Sequence, residues 1–292
     1  MLFNAIKTVI LLALLSGLFM FMGNLIGGSS GLHIAFIMAL VLNGVMYFFS
    51  DRIVLSLYKA IPLDKNKYAS VYNEVSHLAE EMKIPMPRLW LINTPMANAF
   101  ATGRSPKHAS IAVTTGILSL LNQDELRGVL SHELAHVKNR DILISTIAAT
   151  LATAIGYLAN MLQYAAFWGS LSNNRDGKKG NPLFMLLVAI LMPIAAALLQ
   201  FALSRSREYE ADDTGARNCK DPLALASALK KLEQNVASEH FNKDDVEKAS
   251  TASLFIVNPF TTTSLVNLFS THPPMNLRIE RLQALYKKMF SR

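Results

Sequence analysis

Two histidines four residues apart, with a glutamate directly after the first, stand in the stretch SHELAHVKNR at 131–140. On an α-helix, positions i and i+4 share a face, so His132 and His136 can direct two imidazoles at one ion. Glu133 lies one step round the helix. It is near enough to meet a water on that ion without ligating it, the arrangement of a metal-assisted hydrolase. The flanking residues agree with a helix. Asn122 followed by Glu125 reads as a capping box, and Leu126, Val129, Leu130 and Leu134 form one apolar face.

A catalytic zinc takes three protein ligands and keeps a fourth position open. An extended motif with a third histidine on the same stretch is excluded, because Asn139 and Ile142 stand where it needs Gly and His. Glu208, Asp212, His240 and His272 are the other candidates. His136 lies six residues before an apolar stretch, and Glu208 lies five after another. An antiparallel hairpin of those two stretches brings the chain back to the same end. SRSREYEADD at 204–213 is helical in character, so Glu208 and Asp212 share a face. Glu208 is expected to bind one zinc ion per chain, and Asp212 to hydrogen-bond the outer nitrogen of a ligating histidine. On an isolated helix Glu208 would pair with Arg205 or Arg207 instead. The metal-binding helix decides for the ligand.

These groups must be carried by an apolar chain. It has 292 residues, 51% of them hydrophobic and 17% charged, against about 25% charged in soluble domains. No Asp, Glu, Lys or Arg occurs from Thr8 to Ser50. A single helix of that length would be about twice as long as a bilayer core is thick. GGSSG at 27–31 breaks it, which predicts two spans, 6–26 and 32–50, in a hairpin over 1–50. A cleaved signal peptide would need a mature domain after it, and here a second span follows at once. Two further uncharged stretches, 142–168 and 183–203, make an apolar hairpin over 142–203 that is expected to be transmembrane; 183–203 is long enough to span, while 142–168, rich in Ala and Thr, could span or be a buried helix of the enzyme domain. The protease domain is then split into 51–141, with the metal helix, and 204–292, with the third ligand.

Lys7 precedes the first span, and Arg52, Lys59, Lys65 and Lys67 follow the second, while the turn at 27–31 has no charge. Both flanks therefore belong on the cytoplasmic side. Arg175, Lys178 and Lys179, between the later apolar stretches, weigh against full crossing of that pair without reversing it, since short positive loops are translocated. The net charge is +7. The basic residues flank spans without interleaved aromatics, which favours an anionic lipid surface and excludes nucleic acid as partner. Cys219, the single cysteine, forms no internal disulfide and suits a reducing compartment.

In the soluble part, Asp64 is expected to cap a helix with Val71, Val75, Leu78 and Met82 on its apolar face. Residues 88–92, 98–102 and 110–115 read as strands of a small antiparallel sheet beside the metal helix. Asp221-Pro222 opens a helix bearing Leu225, Leu229, Leu232 and Val236. Residues 237–252 read as a polar loop, and the chain ends in an amphipathic helix from Met275. The fold class is a mainly α membrane protein: transmembrane helices plus an α+β zincin-like protease domain.

HELAH at 132–136, SRSREYEAD at 204–212, NAFATG at 98–103 and THPPMNLRI at 271–279 occur in the expected order. In these motifs the chain resembles the HtpX family of bacterial heat-shock membrane proteases, gluzincin-type zinc endopeptidases related to the CAAX prenyl proteases. The likeness runs end to end. It implies zinc on His132, His136 and Glu208, with Glu133 as general base. It also implies a multi-pass inner-membrane protein with a cytoplasmic catalytic domain that degrades misfolded or damaged membrane proteins. It adds a catalytic role near the oxyanion for His272 and Arg278. It adds a substrate-binding role for Asn98, Ala99, Phe100 and Ala101, as an edge strand pairing with extended polypeptide.

Two rivals fit less well. A non-proteolytic membrane scaffold with structural zinc would close all four ligand positions, and Cys219 is the only thiol on offer. An intramembrane protease would sink the metal helix into hydrocarbon, and QDELRGVLSHELAHVKNRD carries too many charges for that. Substrate sequence and oligomeric state stay open.

Overall fold

The computed structural model describes residues 2–148, 150–151, 205–238, 256 and 273–291. Helix α1, Leu2–Leu57, is two arms joined at a kink where Gly27 and Gly28 leave helical geometry. Gly28 takes φ 57°, a conformation that glycine adopts without strain. Asn43 Nδ2 donates to Ser16 Oγ over 2.9 Å, so the arms lie against each other. Among the described residues, Gly27–Leu57 is the helix long and apolar enough to cross a membrane, with 31 residues and a mean hydropathy of 2.0.

That arm runs past the expected end at residue 50. Both charges it takes in find partners: Asp51 accepts from Arg88 Nη2 over 3.0 Å, and the Arg52 guanidinium lies 5.6 Å from the Phe49 ring centre. Its last turn is joined to the sheet. Val54 and Leu55 bury themselves against Ile92, Phe100 and Ala112, and the Tyr58 and Phe100 rings lie 5.4 Å apart.

The sheet has strands β1 (Ile61–Pro62), β2 (Arg88–Ile92), β3 (Ala99–Gly103) and β4 (Ala109–Thr114), in the order β1-β2-β4-β3. β2 and β4 are parallel, while the other two pairs are antiparallel. The sheet is therefore mixed, correcting the antiparallel expectation. The cause is the segment after β2. The Thr94 carbonyl accepts from Gly116 N (3.0 Å) and Thr115 Oγ1 (2.7 Å), which pins the chain across the far end of β4. β3 is thereby laid on the outer side of β4, as an edge, where a hairpin would have paired it with β2.

Asp64 does not cap α2 (Ala69–Glu81), whose N-cap is Tyr68. Its carboxylate heads a turn upstream, accepting from Asn66 N and Lys67 N. The predicted apolar face of α2 is buried. α3 (Thr115–Leu120) leads into α4 (Gln123–Asn139), which carries the predicted capping box: Glu125 N donates to Asn122 Oδ1 and Asn122 N to Glu125 Oε2. α4 ends at Arg140 with φ 59°, and helical residues follow from 142.

α5 (Arg205–Cys219), α6 (Pro222–Ser238) and α7 (Met275–Phe290) complete the domain. One core joins them: Val75 and Leu78 of α2, Ile111 of β4, Leu130 and Leu134 of α4, Leu229 of α6 and Leu282 of α7. Residues 152–204, with most of the later apolar hairpin, lie outside the described residues, as do the loop from 239, His240 and His272.

α5 crosses α4 at very short range. A Cβ on Gly215 would stand 2.8 Å from His132 N, and Ser131 Oγ donates to the Gly215 carbonyl over 2.8 Å. Only glycine permits that approach, which sets α5 against the first metal-motif histidine.

Candidate metal centre

His132 and His136 leave α4 on one face, and Glu208 meets them from α5. His132 Nε2 lies 3.7 Å from Glu208 Oε2, and His136 Nε2 lies 3.5 Å from Glu208 Oε1. The three possible ligand atoms lie within 4.8 Å of one another. A tetrahedral ion with bonds of about 2.0–2.1 Å holds its ligand atoms roughly 3.3 Å apart, so these donors stand near coordinating distance of a common point. Each imidazole has a carboxylate behind it. His132 Nδ1 contacts Asp212 Oδ1 at 3.0 Å, and His136 Nδ1 meets Asp141 Oδ2 at 3.3 Å. Such partners hold the outer proton and aim Nε2 at the metal.

Charge supports the same fit. Glu133, Asp141, Glu208 and Asp212 are buried about the site together with two guanidiniums, Arg207 and Arg278. With all of them ionised, two negative charges remain. A divalent cation is the complement that spares the site an uncompensated buried charge, and two imidazoles with one carboxylate suit zinc.

The environment sets the protonation of each group. Burial raises the Glu133 carboxyl, against the charges of His132 and His136. Burial lowers His136, but the Asp141 hydrogen bond and the carboxylates around it win and hold it at about 9. For Asp212, burial is outweighed by the charge and hydrogen bonds of Arg278, leaving it at about 2.

Arg278 is wholly buried. Its Nε and Nη2 close on the two Asp212 oxygens at 2.8 and 2.7 Å, with Nη1 3.9 Å from Glu208 Oε2. The family resemblance implied a place near the oxyanion. In the structure Arg278 forms the back of the chain Arg278–Asp212–His132.

The edge strand reaches the site through its backbone. Thr114 N donates to the Asn98 carbonyl, so Asn98 faces β4 and, by antiparallel alternation, Ala99 and Ala101 turn their backbone groups to the side away from β4. Ala101 N donates to Glu133 Oε2 over 2.8 Å. The Asn98 side chain accepts from Ile256 N over 3.1 Å, and Asn98, Ala99, Phe100 and Ala101 are all buried. Three site residues escaped the sequence reading: Asp141, Gly215 and Arg207. Asp141 had a signal, as an acid just beyond the end of the metal helix. Gly215 and Arg207 had none.

Residues 65–286 match peptidase family M48. A protein named "Protease HtpX homolog" from Syntrophobacter fumaroxidans is 50% identical over 280 residues, covering 96% of this chain and 98% of that one. Proteins of the same name from Persephonella marina and Burkholderia multivorans are 47% and 49% identical over 296 and 283 residues. These cover 99% of both chains and 97% of both chains respectively. Among solved structures, S. mikatae Ste24p aligns with a TM-score of 0.48 at 18% identity, over 96% of this chain and 66% of that one. With a family match across most of its length and near full-length relatives at half identity, the chain belongs to peptidase family M48 and is a zinc metallopeptidase.

Proposed function

We propose that this chain is a membrane-anchored zinc endopeptidase that cuts extended cytosolic segments of misfolded or damaged membrane proteins. The observation that carries the reading is the meeting of His132, His136 and Glu208 with Glu133, whose carboxylate also accepts from Ala101 N on the edge of β3 that faces away from β4. Zinc, when bound by His132, His136 and Glu208, supplies a Lewis acid that polarises the scissile carbonyl and acidifies water. Glu133 takes the proton of the attacking water and delivers it to the leaving amide nitrogen as the C–N bond breaks. Asp212 and Asp141 hold the outer nitrogens of His132 and His136, and Arg278 holds Asp212 ionised. The β3 edge, through Ala99 and Ala101, pairs with the substrate backbone, which selects for extension over side-chain identity. His272 is proposed, on family likeness, as a donor near the oxyanion.

The joining of α1 to β3 through Tyr58 and Phe100 supports a cleft near the membrane surface. The lysines and arginines after Ser50 support a cytoplasmic face. The test is cleavage of a detergent-solubilised membrane protein by the wild type and by Glu133→Gln, with zinc added or chelated. Zinc-dependent cutting by the wild type alone is expected. Equal cutting by both would sink the assignment of Glu133, and none by the wild type with zinc present would favour the scaffold reading.

A further inference from the structure

β3 runs alongside the candidate span, toward its apolar part. Three contacts fix that direction. Phe100 meets Tyr58, with ring centres 5.4 Å apart. Arg88, at the start of β2, holds Asp51 at 3.0 Å. Arg104, directly after β3, lays its guanidinium over Phe48, 5.2 Å from the ring centre. The strand from Phe100 to Arg104 covers about 13 Å, and the helix from Tyr58 back to Phe48 about 15 Å, so the two descend together. Gly103 pairs with Ala109, which leaves the turn at 104–108 as the tip of this strand pair, on the side of the apolar arm.

The tip lies at a particular depth. Counted from the kink at Gly28, about 20 helical residues cross a hydrocarbon core of about 30 Å. Tyr47 then stands at headgroup level, where tyrosine rings gather, with Phe48 and Phe49 beside it. Phe48 and Phe49 are 53% and 45% exposed, and each carries a guanidinium, Arg104 on Phe48 and Arg52 on Phe49. Lys107 is exposed on the turn itself. Among the described residues Arg52, Arg104 and Lys107 are in no ion pair, and Asp51, the acid at this level, is already held by Arg88. Unpaired cations on an aromatic rim complement an anionic headgroup layer.

We propose that the β3–β4 turn is a second membrane contact, in which Arg104 and Lys107, with Arg52 of the span, bind the phosphate groups of anionic phospholipids. The strand whose Ala101 amide meets Glu133 is then seated on the lipid by its own turn as well as by the span. The inference rests on the reading that Gly27–Leu57 crosses the bilayer.

The experiment places nitroxide labels on the full chain in a Cys219→Ser background, one at a time at Ser105→Cys, Val41→Cys and Ser70→Cys. The chain is reconstituted in vesicles of phosphatidylglycerol and phosphatidylcholine, and each label is tested for access to oxygen and to a water-soluble nickel chelate. Val41 should report hydrocarbon, Ser70 water, and Ser105 the headgroup layer. In detergent, Arg104→Gln and Lys107→Gln should each weaken binding of a short-chain phosphatidylglycerol about 5-fold. Lys65→Gln with Lys67→Gln, the same loss of charge away from the turn, should cost less than the Arg104 and Lys107 pair. A Ser105 label as open to the nickel chelate as Ser70, beside a Val41 label in hydrocarbon, would overturn this inference alone. A Val41 label in water would overturn the span beneath it. Unchanged lipid affinity in the Arg104 and Lys107 variants, or an equal loss in the Lys65 and Lys67 pair, would also overturn the contact. Inorganic phosphate competing as well as the lipid would reduce the turn to a general anion site and defeat the lipid assignment.

Discussion

The backbone N–H of Ala101 donates to Glu133 Oε2 over 2.8 Å, so the edge strand and the proposed general base share one hydrogen bond. An incoming strand that pairs with β3 must compete for that N–H, and in doing so frees a carboxylate oxygen beside the metal ligands. Glu133→Gln should therefore retain about one zinc per chain, because Glu133 lies outside the ligand set, while proteolysis falls by about 10²–10⁴, the usual worth of a general base. Metal analysis and peptide cleavage on the same preparation check both halves. Loss of zinc together with activity would contradict the division of roles.

The two carboxylates behind the histidines should behave differently. Asp141→Asn and Asp212→Ala should each weaken zinc binding about 10–100-fold. Asp212→Ala should also strand Arg278, which has no exposure to water, and so lower global stability by about 3–5 kcal/mol. Chemical denaturation of the apo protein separates the variants. Equal stability of the two would argue that Arg278 finds another partner.

Much of this was legible in the sequence, and the misses have physical causes. The metal helix was readable because its capping box, apolar face and histidine spacing are local, periodic signals. Glu208 and Asp212 were reachable because two uncharged stretches had to return the chain to one end. The sheet was misread because strand order depends on where the 93–98 turn docks, a tertiary matter that alternation does not encode. Gly215 was invisible because a glycine in a helix gains meaning only from what crosses it. Arg207 was weighed, with Arg205, only as an alternative partner for Glu208 on a solvated face, because a basic residue beside an acid on a polar helix usually faces water.

Gly215 yields a prediction of its own. A methyl at that position would meet His132 N at 2.8 Å and His132 Cα at 2.9 Å, both backbone atoms that cannot swing aside. Gly215→Ala should push α5 off α4, costing about 1–3 kcal/mol as an overpacked contact. Because Glu208 and Asp212 ride on α5, zinc affinity should fall too. Unfolding curves with and without excess zinc test this: the gap between them should be smaller than in the wild type.

His136 ties metal uptake to pH. Its pKa in the apo protein is about 9, above the ordinary 6.5. A raised pKa stabilises the fold fully below 6.5, and that contribution is lost as pH rises through about 9. Zinc needs the neutral imidazole, so binding near pH 7 should release close to one proton from His136, and apparent affinity should rise up to about pH 9 before levelling. Calorimetry in buffers of different ionisation enthalpy reads the proton directly. Pairs of titrations showing no buffer dependence would remove His136 as the source.

The last prediction concerns where the enzyme cuts. The C-terminal turn of the candidate span is in direct contact with the strand proposed to receive substrate: Val54 and Leu55 pack with Phe100, Tyr58 just beyond the span lies against the same ring, and Asp51 is held by Arg88 at the start of β2. If Gly27–Leu57 crosses the bilayer, no flexible tether separates the span from the cleft, so the site is carried at a short, fixed height above the lipid. A transmembrane helix keeps its backbone bonds inside itself and offers no edge for pairing, whereas an unravelled loop just outside the membrane does. Cuts on a multispan substrate of known topology, mapped by mass spectrometry in liposomes, should therefore cluster in cytosolic segments close to span ends, with little residue preference. Phe100→Ala, which loosens the joint, should broaden that distribution and lower stability by about 3–5 kcal/mol, the usual cost of truncating a buried phenylalanine. Cuts within spans, in periplasmic loops, or spread evenly along long cytosolic tails in the wild type would show that the span and the cleft are not coupled in this way.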